Sequence, residues 1–171
     1  MRINPILPGT QPELAEIEAS IAAQRGRVSP LYQVLLNSPP MAKGWEQLLT
    51  AVRNHNSLPA YLRELVILRV AVLNRAVYEY EAHLPIALKA GATQAQVDAI
   101  RDPAQLGAGL NEIEQTLLSL TDVMTRNIEV PASLYEQVRS HLDERQTVDL
   151  MVTIGAYNMV SRFLVALELG H

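Results

Sequence analysis

Apolar positions recur with a helical period along almost the whole chain. Residues 1–9 read as an extended, proline-punctuated arm. Thr10-Gln-Pro-Glu13 has the form of a capping box with Pro12 in the first turn, and Leu14, Ile17 and Ile21 follow at helical spacing until Gly26 stops the pattern. Ser29-Pro30 opens a short helix to Leu36, closed by Asn37-Ser38-Pro39-Pro40. The next pattern carries Trp45, Leu48, Leu49 and Val52 on one side and ends at Arg53-Asn54-His55-Asn56. Ser57-Leu-Pro59 then introduces the longest apolar run of the chain. From Leu65 to Leu73 only Arg69 is charged, which predicts a central helix buried on nearly all sides.

A second central helix follows, on which Ala76, Glu79, Tyr80, His83 and Ala87 share one stripe. The small alanines at its ends leave room beside the polar groups, as in one wall of a pocket. Pro85 inside this pattern predicts a kink, and Gly91 ends it. Thr93-x-x-Gln96 caps a short helix, and Arg101 to Gly109 reads as a loop. Ile113, Leu117, Leu120 and Met124 mark another amphipathic helix, Pro131 begins the next through His141, and Asp143-x-x-Gln146 caps the last. That final helix, spanning roughly 144–169, carries Leu150, Met151, Ile154 and Val160, with Gly155 and Ala156 small enough for close contact. No strand pattern competes and no fixed repeat is present. The pattern predicts an all-α protein.

At 171 residues and 49% apolar composition the chain suits one domain, 1–171, with a substantial core. Aromatic residues are only 5%, so that core is aliphatic. A net charge of −4 and a pI near 5.6, with no basic face, argue against a nucleic-acid partner. No stretch reads as long and apolar enough to span a bilayer, and MRINPILPGTQPE lacks a signal-peptide core, so no membrane partner is expected. There is no cysteine. Disulfides are therefore ruled out, and a cytoplasmic protein is the default expectation.

Several polar residues in apolar surroundings are candidates for chemistry. Glu79 and His83 lie four residues apart on one helix face. A carboxylate beside an imidazole fixes its tautomer and raises its pKa, giving an acid/base near neutrality. The same spacing also describes a surface ion pair worth only a few tenths of a kcal/mol. Glu64 is either a first-turn acid favoured by the helix dipole or a partly buried carboxyl. Arg69 needs a buried partner, which makes it a structural ion-pair member or a group supporting the site. Tyr157, Asn158, Ser161 and Arg162 form a polar cluster on the last helix, either an interhelix network, a subunit seam or pocket groups with Arg162 on a substrate carboxylate. Glu79-x-x-x-His83 resembles a helical metal-ligand pair, but no second such motif supports a metal. His55 and His141 read as solvated.

The frame ELxxLRVA…YEYxxH…AG, with Glu64 and His83 at its functional positions, resembles the carboxymuconolactone decarboxylase / alkylhydroperoxidase D superfamily. The likeness is best from Leu31 to Ile100, and the closing YNMVSRFLVALEL fits the cysteine-free members. It implies an orthogonal multi-helix bundle of the alkylhydroperoxidase D-like type, assembled as a trimer or hexamer. Its parts would be an N-terminal arm and helix over 1–28, the motif region 31–100 and C-terminal helices over 110–171. The peroxidase branch carries Cys-x-x-Cys where this chain has Ala76 and Glu79, so thiol peroxidase chemistry is closed to this chain alone.

What remains implied is a cofactor-independent, metal-free enzyme performing decarboxylation, elimination or isomerisation on a small organic acid or lactone-like substrate. His83, Glu79 and Glu64 would be catalytic, with Glu64 opposite His83 as a proton relay. Tyr80, Arg69, Tyr157, Asn158 and Arg162 would bind substrate. The alternative is a non-catalytic relative: an oligomeric scaffold or small-ligand-binding protein.

Overall fold

A computed structural model describes residues 1–102 and 109–170. Among these, a 3-10 turn (Pro12–Leu14) precedes nine α-helices and no strand occurs. The helices are α1 (Ala15–Arg25), α2 (Pro30–Leu35), α3 (Pro39–Asn54), α4 (Ala60–Leu73), α5 (Val77–Lys89), α6 (Gln94–Arg101), α7 (Glu112–Arg126), α8 (Ala132–His141) and α9 (Glu144–Ala166). They fall into two compact units, Met1–His55 with Ala166–His171, and Asn56–Val165. Most of the loop expected between Arg101 and Gly109 lies outside the described residues.

In the first unit α1 and α2 pack on α3. The expected capping box at Thr10 does not form. The Thr10 hydroxyl instead donates to the Leu7 carbonyl at 2.7 Å, closing a tight turn, and Pro12 starts a 3-10 turn whose Gln11 cap makes no side-chain bond. Gly26 does end α1, in the left-handed region at φ 80°. Pro39 and Pro40 open α3 rather than only closing α2. The inward face of α3 is Ala42, Glu46, Leu49 and Val52; Leu48, expected on that side, is exposed.

The second unit is organised around α4, which packs against α5, α6 and α7. Every residue from Glu64 to Ala71 is buried, as the unbroken apolar run predicts. Leu65 and Leu68 join Ala87, Val97, Ile100 and Leu118 in one aliphatic cluster. Arg69 lies fully buried within it. Its Nε and Nη2 each donate to the Asp122 carboxylate at 2.6 Å, and Nη1 donates to the Ile100 carbonyl at 2.7 Å. This two-pronged pair pins α4 to α7 and to the end of α6.

Capping boxes fix the starts of α6 (Thr93 with Gln96) and α7 (Asn111 with Glu114). Asp143 and Gln146 exchange the same bonds at the start of α9. α5 runs through Pro85 to Lys89.

Two further features depart from the sequence expectation. The first is α9, which at 23 residues is, by length and composition, long and apolar enough to cross a membrane; its most apolar stretch has mean hydropathy 1.3. Half of that stretch is buried, and Thr147, Thr153, Asn158 and Ser161 are among its buried residues. It therefore serves as a core helix. The second is the turn from α4 to α5, which is a Schellman motif. Ala76 N–H bonds the Ala71 carbonyl at 2.9 Å and Arg75 N–H bonds that of Val72 at 3.2 Å. The left-handed position in this motif normally holds glycine, yet here it is Arg75 at φ 56°, a conformation costing a side-chain-bearing residue roughly 1–2 kcal/mol.

Candidate active site

α4, α5 and α9 each contribute one polar group to a buried centre in the second unit. His83 lies on the buried stripe of α5 with Glu79 and Ala87 and keeps only 7% of its surface exposed. Its Nδ1 is 2.7 Å from Glu64 Oε2, on α4. Its Nε2 is 3.2 Å from the Tyr157 hydroxyl, on α9, and the two rings meet edge to face with centroids 5.1 Å apart. With Glu64 ionised, one proton arrangement satisfies all three groups. Nδ1–H donates to the carboxylate, leaving Nε2 to accept from Tyr157. Glu64 is 1% exposed, and its other oxygen lies 3.4 Å from the guanidinium of Arg63.

Glu79 sits elsewhere in this arrangement than its spacing suggests. It shares the face of His83 but makes no hydrogen bond to it; Glu64, from a different helix, occupies the orienting position at Nδ1. Glu79 is 2% exposed, and neither carboxylate oxygen has a hydrogen-bond partner among the described residues. Burial pushes its pKa well above the usual carboxyl range. A first-turn position favours a negative charge by roughly 0.3–1 kcal/mol, too little to offset removal of both oxygens from water.

The residues named as substrate-binding divide. Tyr157 touches the imidazole directly. Arg69 has its guanidinium committed to Asp122 and Ile100 in the core. Asn158 is the node of an interhelix network: its Nδ2 donates to Thr125 Oγ1 and the Ile154 carbonyl, both at 3.0 Å, and its Oδ1 accepts from Asn74 at 2.9 Å. Asn74 also donates to Ser161 Oγ at 2.7 Å, so α4, α7 and α9 are tied together here. Arg162 Nη1 turns back onto the Asn158 carbonyl at 3.1 Å. Tyr80 is half-buried, with a hydroxyl lacking a partner and the Arg101 guanidinium 5.4 Å from its ring centroid. Burial raises its pKa, and Arg101 partly opposes the shift. Among the described residues no group of three or more His, Asp or Glu side chains is placed to hold a metal ion.

The all-α arrangement is that of the alkylhydroperoxidase D-like fold. The alkylhydroperoxidase AhpD core of an uncharacterized peroxidase-related protein from Ralstonia eutropha JMP134 superposes with a TM-score of 0.81 at 15% identity, covering 97% of this chain and 90% of that one. A variant of the debrominase Bmp8, in complex with 2,3,4-tribromopyrrole, superposes with a TM-score of 0.78 at 13% identity, over 98% and 90% of the two chains.

At these identities the likeness is one of fold. A profile of the Carboxymuconolactone decarboxylase family matches residues 39–122. The uncharacterized protein YdfG of Bacillus subtilis (strain 168) is 30% identical over 114 residues, 66% of this chain and 77% of that protein. The chain belongs to the carboxymuconolactone decarboxylase family, as a cysteine-free member.

Proposed function

We propose that this protein is a cofactor-independent enzyme that moves protons on a small organic acid or lactone-like substrate, in a decarboxylation, elimination or isomerisation. The observation that carries the reading is the Glu64–His83–Tyr157 chain, with Glu64 on Nδ1 and Tyr157 on Nε2 of one imidazole. A proton leaving a substrate carbon passes to the Tyr157 oxygen as the hydroxyl proton moves to Nε2. Glu64 stabilises the imidazolium that results. Reversing the relay returns the proton to the other end of an allylic enolate, completing an isomerisation. In a decarboxylation the relay starts with His83 protonated from solvent and delivers that proton through Tyr157 to the carbanion left when carbon dioxide departs. Glu79, whose carboxyl burial pushes well above the usual range, is a second candidate proton donor on the same helix face.

The reading extends to a cytoplasmic homo-oligomer. Val148, Val152 and Met159 form an exposed apolar line along α9, and a side chain at the exposed Gly155 would meet nothing within 4 Å. That line supplies a face for another subunit.

The test is turnover of a panel of unsaturated lactones and β-keto or vinylogous acids by wild type, His83→Gln and Tyr157→Phe. Loss of an acid/base costs roughly 10²–10⁴-fold in rate, and far-ultraviolet circular dichroism should be unchanged. Equal turnover by wild type and His83→Gln would refute the proton relay. Binding of lactones by wild type with no turnover would point to a ligand-binding relative.

A further inference from the structure

Beside the start of α5 lies a cavity of about 460 Å³ in the second unit, within the size range of small-molecule sites. Ala71, Val72 and Leu84 give it an apolar wall, and Tyr80 contributes its ring. Its charged groups are Arg75, Arg101 and Glu81. Among the described residues neither arginine is within ion-pair distance of a carboxylate, Glu81 included. Arg101 lies over the Tyr80 ring, and the Tyr80 hydroxyl is buried without a partner. The other two arginines considered for substrate binding, Arg69 and Arg162, are engaged with Asp122 and Asn158. Of these four arginines, Arg75 and Arg101 are the two left open to a ligand.

Arg75 carries the argument further. It occupies the left-handed position of the α4–α5 turn at φ 56°, where glycine fits better. No hydrogen bond or ion pair among the described residues holds its guanidinium there. A strained position holding a long cation at the rim of a cavity is the pattern expected of a binding group. Two guanidiniums against one carboxylate leave the cavity with one net positive charge, which suits a monoanion over a dianion. The uncapped start of α5, with Ala76 and Val77 also in the wall, adds positive potential of the same sign.

From this we infer that the cavity is a binding site for monocarboxylates with a compact apolar body, held by Arg75 and Arg101 and stacked on Tyr80. The inference deepens the proposed function, and its bearing on catalysis rests on that reading. Ala76, in the cavity wall, precedes Glu79 and His83 on the α5 stripe, but neither of those two groups lines the cavity itself. Binding itself does not require His83 to act.

The experiment titrates benzoate and cyclohexanecarboxylate, with benzamide as the uncharged control, into full-length protein by calorimetry. Wild type should bind the carboxylates more tightly than benzamide, and more weakly as salt is raised. Arg75→Gly and Arg101→Gln should each weaken carboxylate binding roughly tenfold and leave benzamide unchanged. Arg75→Gly should also melt at or above the wild-type temperature, because it relieves the turn. A binding loss in that variant therefore cannot come from unfolding. His83→Gln should retain carboxylate affinity, so failure of the proton relay leaves this result standing. No carboxylate binding by wild type, or equal affinity in both arginine variants, would overturn the inference. A change of oligomeric mass in Arg75→Gly with unaltered benzoate affinity would also overturn it, by assigning the arginines to a subunit contact.

Discussion

Replacing Glu79 with glutamine should make the protein more stable, by an amount that depends on pH. In the folded chain the Glu79 carboxyl is buried, has no hydrogen-bond partner among the described residues, and is pushed well above the ordinary carboxyl range by loss of hydration. In the unfolded chain it ionises near the reference value of about 4.3. Between those two values the native state holds a proton that the unfolded state has released. Stability must then fall as pH rises, with a limiting slope of about 1.4 kcal/mol per pH unit for one proton. The sign follows from the raised native pKa: the contribution is fully present below the unfolded pKa and lost as pH climbs through the folded one.

Glutamine has nearly the same shape and no charge at any pH, so it removes this slope. Wild type and Glu79→Gln should be nearly equal near pH 4. Above that, the variant should gain steadily and reach a plateau once the native carboxyl ionises. For a chain of this size about 1 kcal/mol corresponds to 2–4 °C in Tm, so the gap should widen by roughly 3–6 °C per pH unit. Thermal melts of both proteins from about pH 5 to about pH 9 read it directly. A constant offset across that range would mean that Glu79 has the same proton occupancy folded and unfolded, and the reasoning would fail.

Three further outcomes follow from the same geometry. Arg69→Met leaves Asp122 with only a 3.5 Å contact to Arg126; denaturant melts should show a loss of about 3–5 kcal/mol, and adding Asp122→Leu should recover much of it. Hydroperoxide turnover with a dithiol reductant should be absent in metal-free protein, because no residue supplies a thiolate; a coupled peroxidase assay showing turnover would contradict this. Val148→Glu with Val152→Glu should lower the mass measured by light scattering, since both side chains lie on the exposed apolar line of α9; an unchanged mass would remove α9 as the subunit contact.

How far the sequence could be read depended on whether a feature was local. The burial of α4 on all sides follows from its composition alone, and the caps at Thr93 and Asp143 follow from side chains reaching three residues along the chain. Thr10 satisfied the same rule yet made a different bond, because Pro12 and the Leu7 carbonyl offered a tighter turn. The site shows the limit more clearly. Helical spacing pairs His83 with Glu79, its neighbour on α5, whereas Glu64 lies nineteen residues back and meets the imidazole only because α4 and α5 pack together. Tyr157 reaches the same ring from seventy-four residues away. Periodicity reports which residues share a face and is silent on what that face meets. Nothing in the sequence around Arg75 marks a left-handed turn, because the usual signal is a glycine and none is there.

The exchange of a thiol pair for Ala76 and Glu79 removes electron chemistry but not proton chemistry. In the peroxidase branch that the chain resembles, the Glu79 position holds a thiol, a group that ionises near pH 8.5 when unperturbed. An ordinary glutamate would be fully ionised at neutral pH and of no use as a donor. Burial without a hydrogen-bond partner pushes the Glu79 carboxyl well above its ordinary range, so the position still carries a titratable acid on the His83 face. The lost capacity is the S–S bond, and with it any two-electron cycle. On this argument Glu79 is neutral in the resting protein at neutral pH. The infrared difference between wild type and Glu79→Gln should then contain a protonated-carboxyl stretch that shifts on deuteration and disappears as pH is raised. A carboxylate band alone at neutral pH would show that the charge is tolerated in the core, and would leave Glu64 and Tyr157 as the only groups serving His83.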